Sequence, residues 1–380
     1  MMRSLFPYFR FGLMTGYLVM AVIITAIQPG YLWLAFLFGL VFMTFIDEYV
    51  GNSRKEFGNL NSTVIDFMLY LTLPLQLILF ALLLTYLSES DPFGILLIAN
   101  GVGFDLTSIK SSLTSADIVI MLAFFGFVFG AAGVNISHEL FHRTKNRFAV
   151  SVGRWLLAFT FDTTFAIEHV YGHHRHVGTS EDPATARRGE ALQVFWLRST
   201  IGQIIKAFQY EANRLTSRGR SILSWRNKAL RGQFMSLTYL ALAYYAAGWR
   251  GMAAMLIMAV IGKLFLESVN YIEHYGLLRV PGTKVAPRHS WDSFRLLSNA
   301  LLFNLPRHSS HHTNASLRFW QLEPNRSTPQ LPYGYLVMIF IALIPPLWRR
   351  VMDTPLKNWD QNFATEGERE LLDSKAQAPA

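Results

Sequence analysis

The sequence predicts an all-α integral membrane protein, with about six transmembrane helices and a cytoplasmic, histidine-rich helical cap. Three observations carry that prediction. Hydrophobic residues make up 52% of the 380 and charged ones only 16%, against about 25% charged in soluble proteins. The apolar residues are gathered into long, nearly uncharged runs. All eleven histidines lie after residue 137, at or beyond the ends of those runs.

The runs are Leu13–Ile27, Leu32–Ile46, Val64–Leu87, Ile118–Ile136, Phe234–Ala247 and Met252–Ile272. A helix needs about 20 residues to cross a hydrocarbon core of roughly 30 Å, and the shorter runs can be accommodated by tilt or local mismatch. The first run is followed directly by the second across Gln28-Pro29-Gly30, which argues against a cleaved signal peptide. Positive charge sets the orientation. Arg3 and Arg10 precede span one, and residues 137–232 carry 15 Lys and Arg against 7 Asp and Glu. The loop between spans three and four has Glu89, Asp91 and Asp105 against Lys110. Both termini and every histidine are therefore expected on the cytoplasmic side.

Residues 1–352 read as a single membrane-embedded domain. Within it, 137–232 is a long insertion with helical stretches, and 276–332 is rich in Pro, Arg, His and Asn, as loops and short helices would be. Tyr335–Leu347 is apolar but short and is broken by Pro345-Pro346, so an interfacial helix is expected there. Residues 353–380, with six acidic and three basic side chains, are expected to form a flexible polar tail. The net charge of +9 reflects topology and anionic lipid rather than nucleic acid; it also suits docking of an acidic protein.

Ten of the histidines fall into four clusters. His138 and His142 are four apart, which on a helix places both on one face. With Glu139 they also satisfy the His-Glu-x-x-His pattern of zinc peptidases, a five-residue match that recurs by chance. His169 and His173 repeat the i, i+4 spacing, and His174 follows at once. His274 stands at the end of span six, and His308, His311 and His312 form the last cluster. These nine imidazoles exceed what one tetrahedral zinc ion uses and suit an inner shell for two metals. A peptidase reading leaves most of them unexplained, and a metal transporter would carry its ligands near mid-membrane. His176 and His289 fit the spacing less well and are set aside. Glu139, Glu168, Asp182 and Glu273 adjoin the clusters and are candidates to receive the second ring N–H of a ligand, or are ordinary helix-end acids. Cysteine is absent, so these 380 residues hold no thiolate zinc site and no cysteine-bound iron–sulfur centre.

The strings His138-Glu-Leu-Phe-His-Arg143, Glu168-His-Val-Tyr-Gly-His-His-Arg-His-Val-Gly-Thr-Ser-Glu-Asp-Pro-Ala184, Asn270-Tyr-Ile-Glu-His-Tyr-Gly-Leu277 and Arg307-His-Ser-Ser-His-His312 resemble the histidine boxes of the integral-membrane alkane 1-monooxygenase family. That family is related to the membrane fatty-acid desaturases and to the hydroxylase component of xylene monooxygenase. The similarity runs in order over residues 130–350 and includes Pro329-Gln-Leu-Pro332 and Ile344-Pro-Pro-Leu-Trp348. It departs mildly at Ser310, where the family often has Asp. The resemblance implies a centre of two non-haem Fe ions held by the nine clustered histidines, with no catalytic residue beyond the metal centre. It implies hydroxylation of a hydrocarbon with O2 in a bacterial inner membrane. A fatty-acyl desaturase or an aromatic methyl hydroxylase is the nearest alternative. Electrons would come from a separate rubredoxin or ferredoxin, supplied by an NAD(P)H-dependent reductase. An alkane has no polar handle and needs an apolar channel. Gly126, Phe129, Gly130 and Gly133, leading into His138, are candidates to line it, although glycines four apart ordinarily mark close helix packing.

Overall fold

A computed structural model describes residues 2–53, 57–58, 60–325 and 327–376. Among these residues the chain is helical, with no strand beyond two isolated bridge pairs. Five helical stretches are long and apolar enough to cross a membrane: Leu5–Ile27, Pro29–Val50, Ser62–Leu87, Ser115–Phe141 and Lys228–His274. The last two expected spans lie together in the 47-residue Lys228–His274 helix, which is broken at Ala247 and Gly248. Gly248 has φ 57° and ψ −143°, a conformation that L side chains rarely adopt. Both arms reach the same neighbours: Tyr239 stacks on Phe159 at 4.1 Å, and Gly262 abuts Thr160. The chain therefore doubles back at Gly248.

The described chain forms two compact units. The first comprises Met1–Phe42, Asn59–Thr163 and Lys228–Phe265. Its helices start on polar caps: Asn61 accepts from the Thr63 N–H, and Thr114 and Asp117 form a reciprocal capping box. Phe80, Phe129, Phe159 and Tyr239 make a continuous aromatic core. A Cβ at Gly126 would lie 2.7 Å from Ile261, and one at Gly130 would lie 3.0 Å from the Gly262 backbone. Absent side chains thus let two helices touch backbone to backbone. The space beside Gly133 is filled by the Gln76 amide, and Phe129 is fully buried between Phe125 and Phe159. Gly126, Phe129, Gly130 and Gly133 are thus close-packed.

The second unit comprises Met43–Gly58, Thr164–Asn227 and Leu266–Ala380. Its Leu192–Thr216 helix is inside-out by soluble standards. Ser199, Gln203 and Glu211 are buried, whereas Val194, Leu197, Ile201 and Ile205 are exposed. Gln203 donates to Glu267 at 2.8 Å, which satisfies part of that buried polar face. The stretch after Met352 is not a flexible tail. Pro345–Asn362 and Glu366–Ala376 are helices, anchored by buried Met352, Trp359 and Glu368 and by a bidentate ion pair between Arg188 and Asp360. Residues 377–380 lie outside the described residues. Charge density suggested disorder, but a few buried anchors at helical spacing outweigh it.

Candidate metal centre

The second unit brings seven histidines into two groups. His173, His274, His308 and His312 are all buried, and each offers one nitrogen within 4.8 Å of the others. His308 Nε2 lies 3.0 Å from both His274 Nε2 and His312 Nε2. His169, His174 and His311 form the second group: His174 Nε2 is 2.9 Å from His169 Nε2 and 3.0 Å from His311 Nε2. In the first unit His138 and His142 sit on adjacent turns with ring centroids 4.9 Å apart, His138 buried and His142 half-buried.

Local backbone geometry explains the sorting. Residues His169–His173 form a π-turn, the i→i+5 arrangement found often at functional sites. It aligns His169 with His174 rather than with His173, so adjacent residues serve different groups. The i, i+4 pairing expected from the spacing is replaced by i, i+5. In His308–Thr313 an ordinary helix sets His308 and His312 on one face and His311 on another.

Several polar partners orient the rings. The His173 Nδ1–H donates to Asp182 Oδ2 at 2.9 Å. Asp182 also accepts from Thr185 Oγ1 at 2.6 Å and from the Ala184 N–H at 3.0 Å. Burial alone would raise the Asp182 carboxyl, but the His173 ring and these hydrogen bonds outweigh it and hold the value below the usual range. The His274 Nδ1–H donates to the His289 carbonyl at 3.1 Å. A neutral ring that donates from Nδ1 presents Nε2 as a bare lone pair. Burial, and then the neighbouring imidazoles, push His312 well below its ordinary value, so it is neutral.

The donor set fits a metal ion. Several imidazole nitrogens converge, and His173 Nε2 is buried with no hydrogen-bond partner. A cation standing among these nitrogens would draw their lone pairs to it. A separation of 3.0 Å is also what two ligands about at right angles on one ion span when each bond is about 2.1 Å.

The four carboxylates differ in role. Asp182 receives the His173 ring N–H. Glu273 does not sit behind a ring; its carboxylate lies 3.3 Å from His308 Nε2, among the ligand nitrogens, and accepts from Tyr335 at 3.1 Å. Glu139 is engaged by Arg143 at 2.9 Å, which also binds Asp66; a free peptidase base is not what this geometry provides. Glu168 is buried, with its carboxylate and Tyr210 against the bare backbone of Gly172. Of the histidines set aside, His176 pairs with exposed Glu181, while His289 is buried against Glu368. Asp292 was missed entirely. It accepts from the Ser309 N–H at 2.7 Å and from Ser309 Oγ at 2.5 Å, so it anchors the first turn of the helix carrying His308, His311 and His312. Burial raises its value to about 6, against these hydrogen bonds. Nothing in its spacing marks it.

A profile of the family described as "Fatty acid desaturase" matches residues 115–342, more than half of the chain. The chain belongs to the fatty acid desaturase family. Among its curated relatives, alkane 1-monooxygenase 2 of Pseudomonas aeruginosa is 41% identical over 61% of this chain and 63% of its own length. Alkane 1-monooxygenase 1 of the same organism is 37% identical over 67% of each chain. The hydroxylase component of xylene/toluene monooxygenase from Pseudomonas putida is 31% identical over 80% of this chain and 78% of its own. The match thus spans a little under two thirds of the first of these relatives.

Proposed function

We propose that this family member is a non-haem di-iron monooxygenase that hydroxylates the terminal carbon of an alkane or similar hydrocarbon. The observation that carries the proposal is the pair of converging imidazole groups, one of four rings and one of three, in a chain whose relatives are named alkane monooxygenases. Nine histidines then serve as ligands: the seven of the second unit together with His138 and His142.

Two iron ions held there would supply the redox chemistry by which one oxygen atom of O2 enters a C–H bond and the other leaves as water. The protein's part is positional. Asp182 and the His289 carbonyl keep His173 and His274 in the tautomer that presents Nε2. Burial of all four rings keeps bulk water from the closed group, which limits unproductive side reactions. Glu273, held by Tyr335, is placed to act at the ligand nitrogens of the same group. In the proposed topology six spans place both termini and the histidines at the cytoplasmic face of the inner membrane. A separate rubredoxin- or ferredoxin-type protein, fed by an NAD(P)H-dependent reductase, delivers electrons there. The outward-facing Val194, Leu197, Ile201 and Ile205 suit contact with lipid, the phase in which a hydrocarbon substrate partitions.

Membranes containing the protein, a carrier, a reductase and NADH are given octane, hexadecane, xylene or a fatty-acyl substrate, and the products are identified by mass. A terminal alcohol from an alkane is expected; an alkene or a benzylic alcohol as the main product would overturn the substrate class. His312→Ala and His142→Ala are each expected to lose iron and turnover, and unchanged iron and turnover in both would sink the metal assignment.

A further inference from the structure

His289 was set aside by spacing, yet it is fully buried and tied to the C-terminal helix. Its Nδ1 accepts from the Ala286 N–H at 3.0 Å, so its proton is on Nε2, which donates to Glu368 Oε1 at 2.8 Å. Glu368 is itself buried, and also holds Arg288 through two oxygens. Trp359, one helix earlier, donates from Nε1 to the Arg288 carbonyl at 2.7 Å. On its other side the same loop is fastened by Trp291, whose backbone N–H donates to the Glu273 carbonyl and whose ring N–H donates to the Tyr275 carbonyl, both at 2.9 Å. Between these two clamps the loop presents one group to the metal centre, the His289 carbonyl that accepts the His274 Nδ1–H.

We infer that Glu368 is a positioning residue for the metal centre, acting through the His289 side chain to hold the backbone carbonyl that orients the ligand His274. The inference rests on the metal-site reading above and adds to it a role for the C-terminal helix. A ligand ring tolerates little rotation, because its lone pair must stay aimed at the ion. Removing Glu368 leaves the His289 Nε2–H buried without an acceptor, so the loop must rearrange to satisfy it. The carbonyl moves with the loop, and His274 loses the contact that sets both its tautomer and its angle. Gln keeps an oxygen acceptor at the same reach. Asp keeps the charge but is one methylene short of holding Arg288 and His289 together. Asp360, on the preceding helix, anchors the same tail to Arg188 without touching the loop.

The test uses full-length protein stripped of metal in lipid nanodiscs and titrated with Co2+ against a chelator. It follows affinity, stoichiometry and the visible ligand-field spectrum, with thermal melting of the metal-free form alongside. Glu368→Ala is expected to weaken the affected site about tenfold, the lower end for groups that orient ligands, and to change its spectrum. Glu368→Gln is expected to stay near wild type, and Asp360→Asn to match wild type in both readouts. If Glu368→Ala does not fold, Glu368→Asp takes its place with the same expectation. Wild-type affinity and spectrum in Glu368→Ala or Glu368→Asp overturn the inference alone. Equal losses in Asp360→Asn overturn it too, by showing general loosening of the tail. A wild-type protein that takes up no metal overturns the metal-site reading and this inference together.

Discussion

The two imidazole groups of the second unit are built from overlapping sequence yet differ in how they meet water. His173, His274, His308 and His312 are all buried, and polar groups reach them from three sides: Asp182, the His289 carbonyl, and Glu273 with Tyr335. In the other group His169 and His311 are buried but His174 is half-exposed. A closed set holds a metal tightly, whereas a set with an open side exchanges ligands and admits small molecules. One π-turn makes the difference, since His173 and His174 are sequence neighbours and go to opposite groups. The comparison teaches that ligand count and ligand accessibility are set separately, the first by the histidine boxes and the second by the surrounding acids and loops.

The largest effect expected is that of His308→Ala, which deletes the ring closest to two others and leaves a buried gap that no water-exposed group can fill. Metal affinity at the closed group should fall by more than about 100-fold, the upper end of what loss of a group that only orients a ligand costs. His174→Ala, where solvent can replace the lost nitrogen, should cost nearer tenfold. Equal losses for the two variants, measured by chelator competition, would break the distinction between closed and open groups. Asp182→Asn comes next. The amide cannot act as a charged acceptor for the His173 Nδ1–H, and a weakening of about 10-fold is expected. The loss should be confined to the closed group, and an equal weakening at the open group would show that the two are not independently supported.

Parts of this arrangement are legible in the sequence for definite reasons. The spans are visible because a helix in lipid must be apolar around its whole circumference, and Val64–Leu87 has no way to conceal that. The nine clustered histidines are visible because histidine is otherwise nearly absent from the chain and these fall at short, repeated spacings. Their sorting is not, because i, i+4 is the spacing of an α-turn and nothing in His169–His174 announces a π-turn. Asp292 and Glu368 were hidden for another reason: each acts on residues far along the chain, through a folded loop rather than a fixed offset. Gly126 and Gly130 were readable as packing or as a channel, and both lie in close contact with the helix that carries Ile261 and Gly262.

The smallest effect expected concerns pH, and it sharpens the comparison because it touches the support of the closed group only. Burial alone would raise the Glu368 carboxyl, but hydrogen bonds from His289, Arg288 and the Thr365 N–H outweigh it and bring the value down to about 2, from an ordinary 4.5. A carboxyl lowered by folding adds stability that is fully present above its unfolded value and is lost as pH falls through its folded one. The groups facing it are Arg288 and His289, whose own value burial holds below its usual range. The helix Glu366–Ala376 should therefore keep its amide protection from neutral pH to about 4.5 and lose it progressively towards about 2. Hydrogen exchange over residues 363–376 at a series of pH values measures this. In Glu368→Gln, which does not titrate, protection should be nearly flat across that window, so parallel profiles in the two proteins would rule out Glu368 as the group responsible.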